Sequence, residues 1–195
     1  DYYHTPVGPQ TSKSDLLGFI NGAGKYVYSM LRHVYEHGGI GCIDEFDAGN
    51  PASLTIINGM LDAVESGFAD KMVDRHPDAA FVACMNTYGR GADMIMVGRS
   101  QLDGATLDRF VGMEWNTDWA LARQLARNDE WTTYCQSLYE SAARQKVRVV
   151  IGMRAALKGA RLLAAKIPRE QVERDAVWWG IKPDDKQKIL AGVQA

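Results

Sequence analysis

Two short apolar runs, each closing on polar side chains, constrain this chain more than any other feature. Ile40–Ile43 runs into Asp44-Glu45, and Ala79–Met85 runs into Asn86-Thr87. Between them lies a helix signature, with Asn50 as cap and Pro51 at the first helical position, where its missing N–H costs nothing. Leu54, Ile57, Met60, Leu61 and Val64 then recur at helical spacing. Uninterrupted apolar runs of this length read as buried strands rather than as half-exposed ones. Strand, helix and strand in that order predict an open α/β sheet, in which ligands bind beyond the carboxyl ends of the strands.

The rest of the first part fits that frame. Tyr2–Thr5 reads as the end of a strand. Leu16–Ile20 and Tyr26–Tyr28 flank Asn21-Gly22-Ala23-Gly24-Lys25, a turn signal compatible with a small hairpin or a helix break. Ser29–Glu36 reads as a helix stopped by His37 and Gly38-Gly39. Gly67–Asp78 is turn-rich, with a hairpin expected around Ala69-Asp70-Lys71. A glycine-rich loop from Tyr88 to Gly98, a short helix at Gly104–Arg109 and a third core strand at Phe110–Trp115 complete it. Beyond about Asn116 glycine thins out and helical periodicity takes over. Helices are expected near Trp119–Arg127, Glu130–Val150, Met153–Lys166, Arg169–Trp179 and Asp184–Ala191. The division expected is therefore 1–117 for an α/β core and 118–195 for an all-helical part.

Charge narrows the function classes. The 22 Lys and Arg against 24 Asp and Glu leave a net charge of −2, which gives no electrostatic footprint for nucleic acid or an anionic membrane. No run approaches the ~18 apolar residues of a membrane span. Cys42, Cys84 and Cys135 show no CxxC pairing and no His/Cys cluster, which fits a reducing, cytoplasmic compartment. The four histidines show no metal-ligand spacing either, and Trp178-Trp179 reads as a packing anchor.

Adjacent acids at the end of a buried strand have a definite use. The first, Asp44, can hold a hydrated Mg²⁺ through water, and the second, Glu45, can orient and deprotonate an attacking water. Asn86, ending the next run, can orient that same water. Asp44-Glu45 alone is equally compatible with a solvated turn, and a lone Asn after a strand is usually just a turn former. Two arginines, Arg109 in Leu107-Asp108-Arg109-Phe110 and Arg154 in Gly152-Met153-Arg154-Ala155, read singly as surface ion-pair residues, although a guanidinium aimed at a γ-phosphate would stabilise transition-state charge.

The ordered set GGIGCIDEFDAGNP, VACMNT, GRSQLDGATLDRF and GMRAALKGARLL resembles the AAA+ ATPases. Within them it is similar to the dynein-related group that includes MoxR-type ATPases and the ATPase subunits of cobalt and magnesium chelatases. The resemblance runs from about Thr11 to Ile189. It implies a P-loop NTPase-like parallel sheet followed by a helical lid, with ATP and Mg²⁺ as ligand and cofactor. It gives Asp44 and Glu45 the Walker B roles, Asn86 sensor 1, Arg109 the arginine finger that reaches a neighbouring subunit, and Arg154 sensor 2. Arg99 is a second candidate for an inter-subunit contact with nucleotide. The segments Gly22–Tyr28 and Gly67–Arg75 resemble two inserts that face the pore of a ring. A hexameric ring of copies and a von Willebrand A-type partner are implied.

One element of that pattern is missing. No GxxxxGK[ST] loop occurs, and Gly22-Ala23-Gly24-Lys25-Tyr26 has Phe19 and Tyr26 where glycine and Ser or Thr are needed. The chain opens abruptly on Asp1-Tyr2-Tyr3-His4, and the expectation is a core truncated ahead of Asp1, without its first strand. Such a polypeptide alone is expected neither to bind ATP tightly nor to hydrolyse it, and to leave the strand at Ala79–Met85 with an unpaired edge. The competing expectation is a non-enzymatic scaffold of the same fold.

Overall fold

The computed structural model describes residues 1–194. The chain divides into two compact units, Asp1–Gly112 and Met113–Ala195.

The first unit is built on a three-stranded sheet of β1 (Tyr2–Pro6), β4 (Gly39–Asp44) and β7 (Ala79–Ala83), in the order β1-β4-β7 and parallel throughout. Its register aligns Tyr3 with Gly41 and Phe81, and Thr5 with Ile43 and Ala83. Side chains alternate across a strand, so these residues share one face. On that face α2 (Met30–His37) packs against all three strands. The surrounding core includes Leu31, Tyr35, Ile43, Phe46, Leu54 and Ile57. Ser29 caps α2, accepting the Arg32 amide at 3.1 Å. Gly38 and Gly39, at φ 84° and 105°, end it and turn the chain into β4, a backbone only glycine adopts cheaply.

The opposite face of the sheet is largely bare, with only Cys42 buried at its centre. Ile40 is 45% exposed and Val82 47% exposed, and Tyr2, Ala80 and Cys84 lie exposed beside them. The continuous apolar runs predict burial on both faces; the described residues cover one. β7 is an edge strand, as expected.

The helix between the second and third strands of the sheet is α3 (Pro51–Asp62), with Asn50 accepting the Ala52 amide at 3.0 Å. It ends before Val64, which is 84% exposed and not part of the helical stripe. Short α1 (Lys13–Leu17) carries a capping box in which Ser12 and Asp15 bond each other's amides. The two turn signals both become antiparallel hairpins, β2 (Phe19–Ile20) with β3 (Tyr26–Val27) and β5 (Glu65–Gly67) with β6 (Met72–Asp74). In the first, Asn21 Oδ1 accepts the Ala23 and Lys25 amides at 3.0 Å. Buried Arg32 joins both hairpins to α2, with its guanidinium 4.0 Å from the Tyr26 ring centroid and Nη1 2.5 Å from Asp70.

Phe110–Trp115 is not a strand. After α4 (Gly104–Leu107) the chain runs irregularly to residue 118, with Val111 98% exposed. A strand needs a neighbour to take its amides and carbonyls, and none of the described strands lies there to pair with.

The regular elements among the second unit's described residues are all helices: α5 (Trp119–Ala126), α6 (Asp129–Arg144), α7 (Met153–Ala164), α8 (Arg169–Ala176) and α9 (Pro183–Gln194). Its core gathers Trp131, Cys135, Leu138, Ala156, Val172 and Ile189. Gly159 lies under the Trp131 indole, where a Cβ would sit 2.2 Å from the ring. α6 stops at Arg144, short of the expected Val150, because Lys146 turns left-handed at φ 54° and the Val147 amide closes back on the Ala142 carbonyl at 2.9 Å. Trp178 is buried, whereas Trp179 points to solvent, so only the first of the pair anchors packing. No helix among the described residues is long and apolar enough to cross a membrane.

Candidate functional site at the carboxyl end of the sheet

Parallel β4 and β7 deliver their last residues to the same end of the sheet. The ladder continues one step past β7, since the Cys84 amide donates to the Ile43 carbonyl at 2.8 Å and the Phe46 amide to the Cys84 carbonyl at 2.9 Å. Asp44 closes β4. Its Oδ1 accepts the Glu45 amide at 2.9 Å and its Oδ2 lies 3.1 Å from His4 Nε2 on β1. The carboxylate is 44% exposed, so it remains accessible to a hydrated cation.

Glu45 adopts a left-handed backbone, φ 57° and ψ 35°. For a side chain with a Cβ that conformation costs about 1–2 kcal/mol. It persists because its neighbours fix it: the Glu45 amide is held by Asp44, and the Glu45 carbonyl accepts the Ala48 amide at 2.7 Å. Strain of this kind concentrates at functional sites. The turn swings the Glu45 side chain off the line of the strand, where it forms an ion pair with Arg99 Nη1.

The residue that assembles the site is Asp47, whose side chain is fully buried. Its Oδ2 accepts the Asn86 amide at 3.0 Å, the Thr87 amide at 2.9 Å and the Thr87 hydroxyl at 2.7 Å. Its Oδ1 accepts Arg99 Nη1 at 3.1 Å, and its backbone carbonyl accepts the Ser100 amide at 2.7 Å. A buried carboxylate is tolerated only when charge and donors surround it, and here they come from two other segments. Asp47 thereby fixes the end of β7 and the loop before Leu102 against the end of β4. The pairing with Glu45, aided by the Asp47 charge, holds the Arg99 guanidinium above its ordinary pKa range.

Sequence reasoning assigned no role to Asp47 or Thr87. The available signal was an acid three positions past Asp44 together with a Thr directly after Asn86, which supplies both a hydroxyl and an amide.

The expected residues divide as follows. Asp44, Glu45 and Asn86 are brought to one end of the sheet. Asn86 is anchored through its amide, and its side chain is exposed. Arg99 bonds acids of its own chain. Arg109 is elsewhere, with Nε 2.6 Å from Asp62 Oδ2 at the far end of α3. Eleven helical steps separate Pro51 from Asp62, roughly 16 Å along the axis, so Arg109 does not join Glu45 within the unit. Arg154 stands exposed in the first turn of α7, in the second unit.

Among the described residues no group of three or more His, Cys, Asp or Glu is arranged to hold a metal. Asp44 nevertheless suits Mg²⁺, a hard ion that keeps several waters and takes one or two carboxylates plus phosphate oxygens. An open hollow of about 480 Å³, lined by Gly8, Pro9, Gln10, Thr11 and Asp15, lies past the carboxyl end of β1. Cys84 faces Cys42 across the strands with sulfurs 3.7 Å apart, and loss of solvation together with Cys42 pushes its thiol up to about 11.

No protein-family model matches the chain, and no curated protein matches it. Among solved structures that resemble it is a Cytophaga hutchinsonii protein to which ATPase activity has been ascribed. It aligns with the whole of this chain and 76% of its own length, at 14% identity and a TM-score of 0.48. A likeness at that level fixes neither the family nor the activity.

Proposed function

We propose that this chain is the Mg²⁺- and water-handling part of an AAA+ ATPase that hydrolyses ATP between neighbouring subunits of a ring. The observation that carries the reading is the convergence of Asp44, Glu45 and Asn86 at the ends of adjacent parallel strands, locked together by buried Asp47. Asp44 would hold hydrated Mg²⁺, which would supply positive charge against the phosphates. Glu45 takes the proton from the attacking water, and Asn86 orients that water against the γ-phosphate. By the resemblance Arg109, paired with Asp62 and not with its own Glu45, acts on a neighbour's nucleotide, and Arg154 serves as sensor 2.

The reading also needs a cradle of amides and a lysine for the β- and γ-phosphates, which residues 1–194 do not provide. We place it on a strand and helix outside these residues. The exposed edge of β7 and the bare face of the sheet support this, because parallel sheets are ordinarily covered on both faces. The chain alone is then inactive, and the longer protein is a ring, of six copies by the resemblance, that remodels a partner. A von Willebrand A-type protein is the partner class the resemblance names.

A scaffold without hydrolysis is the second reading, and the engagement of Glu45 by Arg99 favours it. The two separate in the form of the protein that carries the phosphate cradle. Glu45→Gln should bind ATP and retain it unhydrolysed, and Arg109→Ala should bind ATP but lose turnover. Wild-type protein that binds ATP and never releases phosphate would leave only the scaffold.

A further inference from the structure

Cys42 on β4 and Cys84, just past β7, put their sulfurs 3.7 Å apart on the largely bare face of the sheet. Cys42 is buried and Cys84 exposed, so the pair opens to solvent through Cys84. Two outcomes compete for such a pair, a disulfide and a shared cation. Cys42 is in register with Val82, so Cys84 stands one strand over and two residues on. Strands about 4.8 Å apart, with about 3.3 Å per residue, then separate the two Cα atoms by about 8 Å. A disulfide spans no more than about 7 Å, so it does not close without moving the backbone. One tetrahedral ion with bonds of about 2.3 Å holds two thiolates about 3.8 Å apart. The sulfurs already stand at that spacing.

The geometry points to a binding site for a soft divalent cation of the Zn²⁺ class between Cys42 and Cys84. Both S–H bonds break as two sulfur–metal bonds form, and the two protons pass to the buffer. A dication with two thiolates is neutral, which suits a face that presents Ile40, Ala80 and Val82. Loss of solvation and the neighbouring sulfur both oppose charge on Cys84, whose thiol is pushed up to about 11. A cation between the sulfurs offsets both. No third His, Cys, Asp or Glu joins the pair among the described residues, so water completes the ion's shell. Thiolates select against Mg²⁺, so this pair and the acids at the strand ends take different ions. Cys42 lies two residues before Asp44 and Cys84 two before Asn86. The bound ion therefore clamps β4 to β7 just short of the candidate site, whether or not phosphate comes there.

Titration of this chain with Cd²⁺, a softer stand-in for Zn²⁺, tests the site through thiolate-to-metal charge-transfer absorption in the ultraviolet. The chain is first reduced, and the reductant is then removed under argon. Absorption should reach a plateau at about one ion per chain. Excess Zn²⁺ should remove it and the same excess of Mg²⁺ should not; equal effects of the two ions overturn the selectivity. Cys84 is exposed, so Cys84→Ala should fold, which circular dichroism confirms. Cys84→Ala and Cys42→Ala each keep Cys135 and one cysteine of the pair, and each should lose the band. A band that survives in folded Cys84→Ala, or that never appears in the native chain, overturns the site. Zn²⁺ should also slow amide exchange several-fold in native peptides spanning 39–44 and 79–86, and an unmoved rate overturns the clamp. Neither arm uses nucleotide, so their failure is distinct from failure of the ATPase reading.

Discussion

Asp47→Ala is the substitution whose cost the structure specifies most closely. It removes a fully buried carboxylate that satisfies the amides of Asn86 and Thr87, the Thr87 hydroxyl and one nitrogen of Arg99. Arg99 retains Glu45 and needs no new partner. The other three donors lose theirs, and each unsatisfied group costs about 1 kcal/mol or more, giving about 3 kcal/mol in all. Asp47→Asn keeps one acceptor oxygen but turns an NH₂ toward a donor and drops the charge, so about 1.5 kcal/mol is expected. The assay must resolve the first unit, because two units need not unfold together. All five tryptophans lie at 115 or beyond, so tryptophan fluorescence reports the second unit. Hydrogen exchange read by mass spectrometry on peptides spanning 79–90 reports the first. Asp47→Ala should speed exchange there roughly 150-fold, the equivalent of 3 kcal/mol, while the fluorescence midpoint in urea stays put. A change under about fivefold would mean that water readily replaces the carboxylate and that Asp47 does not hold the site together.

Two further outcomes follow from the same geometry. Glu45→Gly and Glu45→Ala both lose the Arg99 pair, but only glycine adopts φ 57° freely, so the glycine variant should be the more stable by about 1 kcal/mol in exchange from residues 44–48. Equal stability would show that the left-handed turn carries no strain. Cys84, although exposed, has its thiol pushed up to about 11, so iodoacetamide at pH 7.5 should label it roughly 100-fold more slowly than an ordinary exposed cysteine. Its rate should rise about tenfold per pH unit to near pH 11; labelling at the ordinary rate contradicts the burial argument.

Much of the first unit was legible because its signals are local. Asn50-Pro51 and Gly38-Gly39 each specify a helix end through their own backbone chemistry, and both ends form where the sequence sets them. That the polar residues closing two apolar runs meet was legible for a similar reason: a parallel sheet brings successive strand ends together. What escaped depends on partners distant in the chain. Phe110–Trp115 has strand composition, yet a strand exists only beside another, and this segment has no neighbour among the described strands. Asp47 reads as one more acid after Asp44 and Glu45 until its burial and its bonds to Asn86, Thr87 and Arg99 are seen. The left-handed turn at Glu45 could not be read from composition either, because glutamate rarely adopts it. Arg99, a candidate for contact with a neighbouring subunit's nucleotide, is held instead by Asp47 and Glu45 of its own chain.

Where the metal sits decides the reading. With Mn²⁺ replacing Mg²⁺ and ATP bound, in the form of the protein that carries the phosphate cradle, paramagnetic broadening of backbone amides maps the ion. Signals of residues 44–47 and of Asn86 and Thr87 should disappear first, and Asp44→Asn should restore them. Broadening centred anywhere else, with residues 44–47 and 86–87 left sharp, contradicts the assignment of this end of the sheet to Mg²⁺ and phosphate.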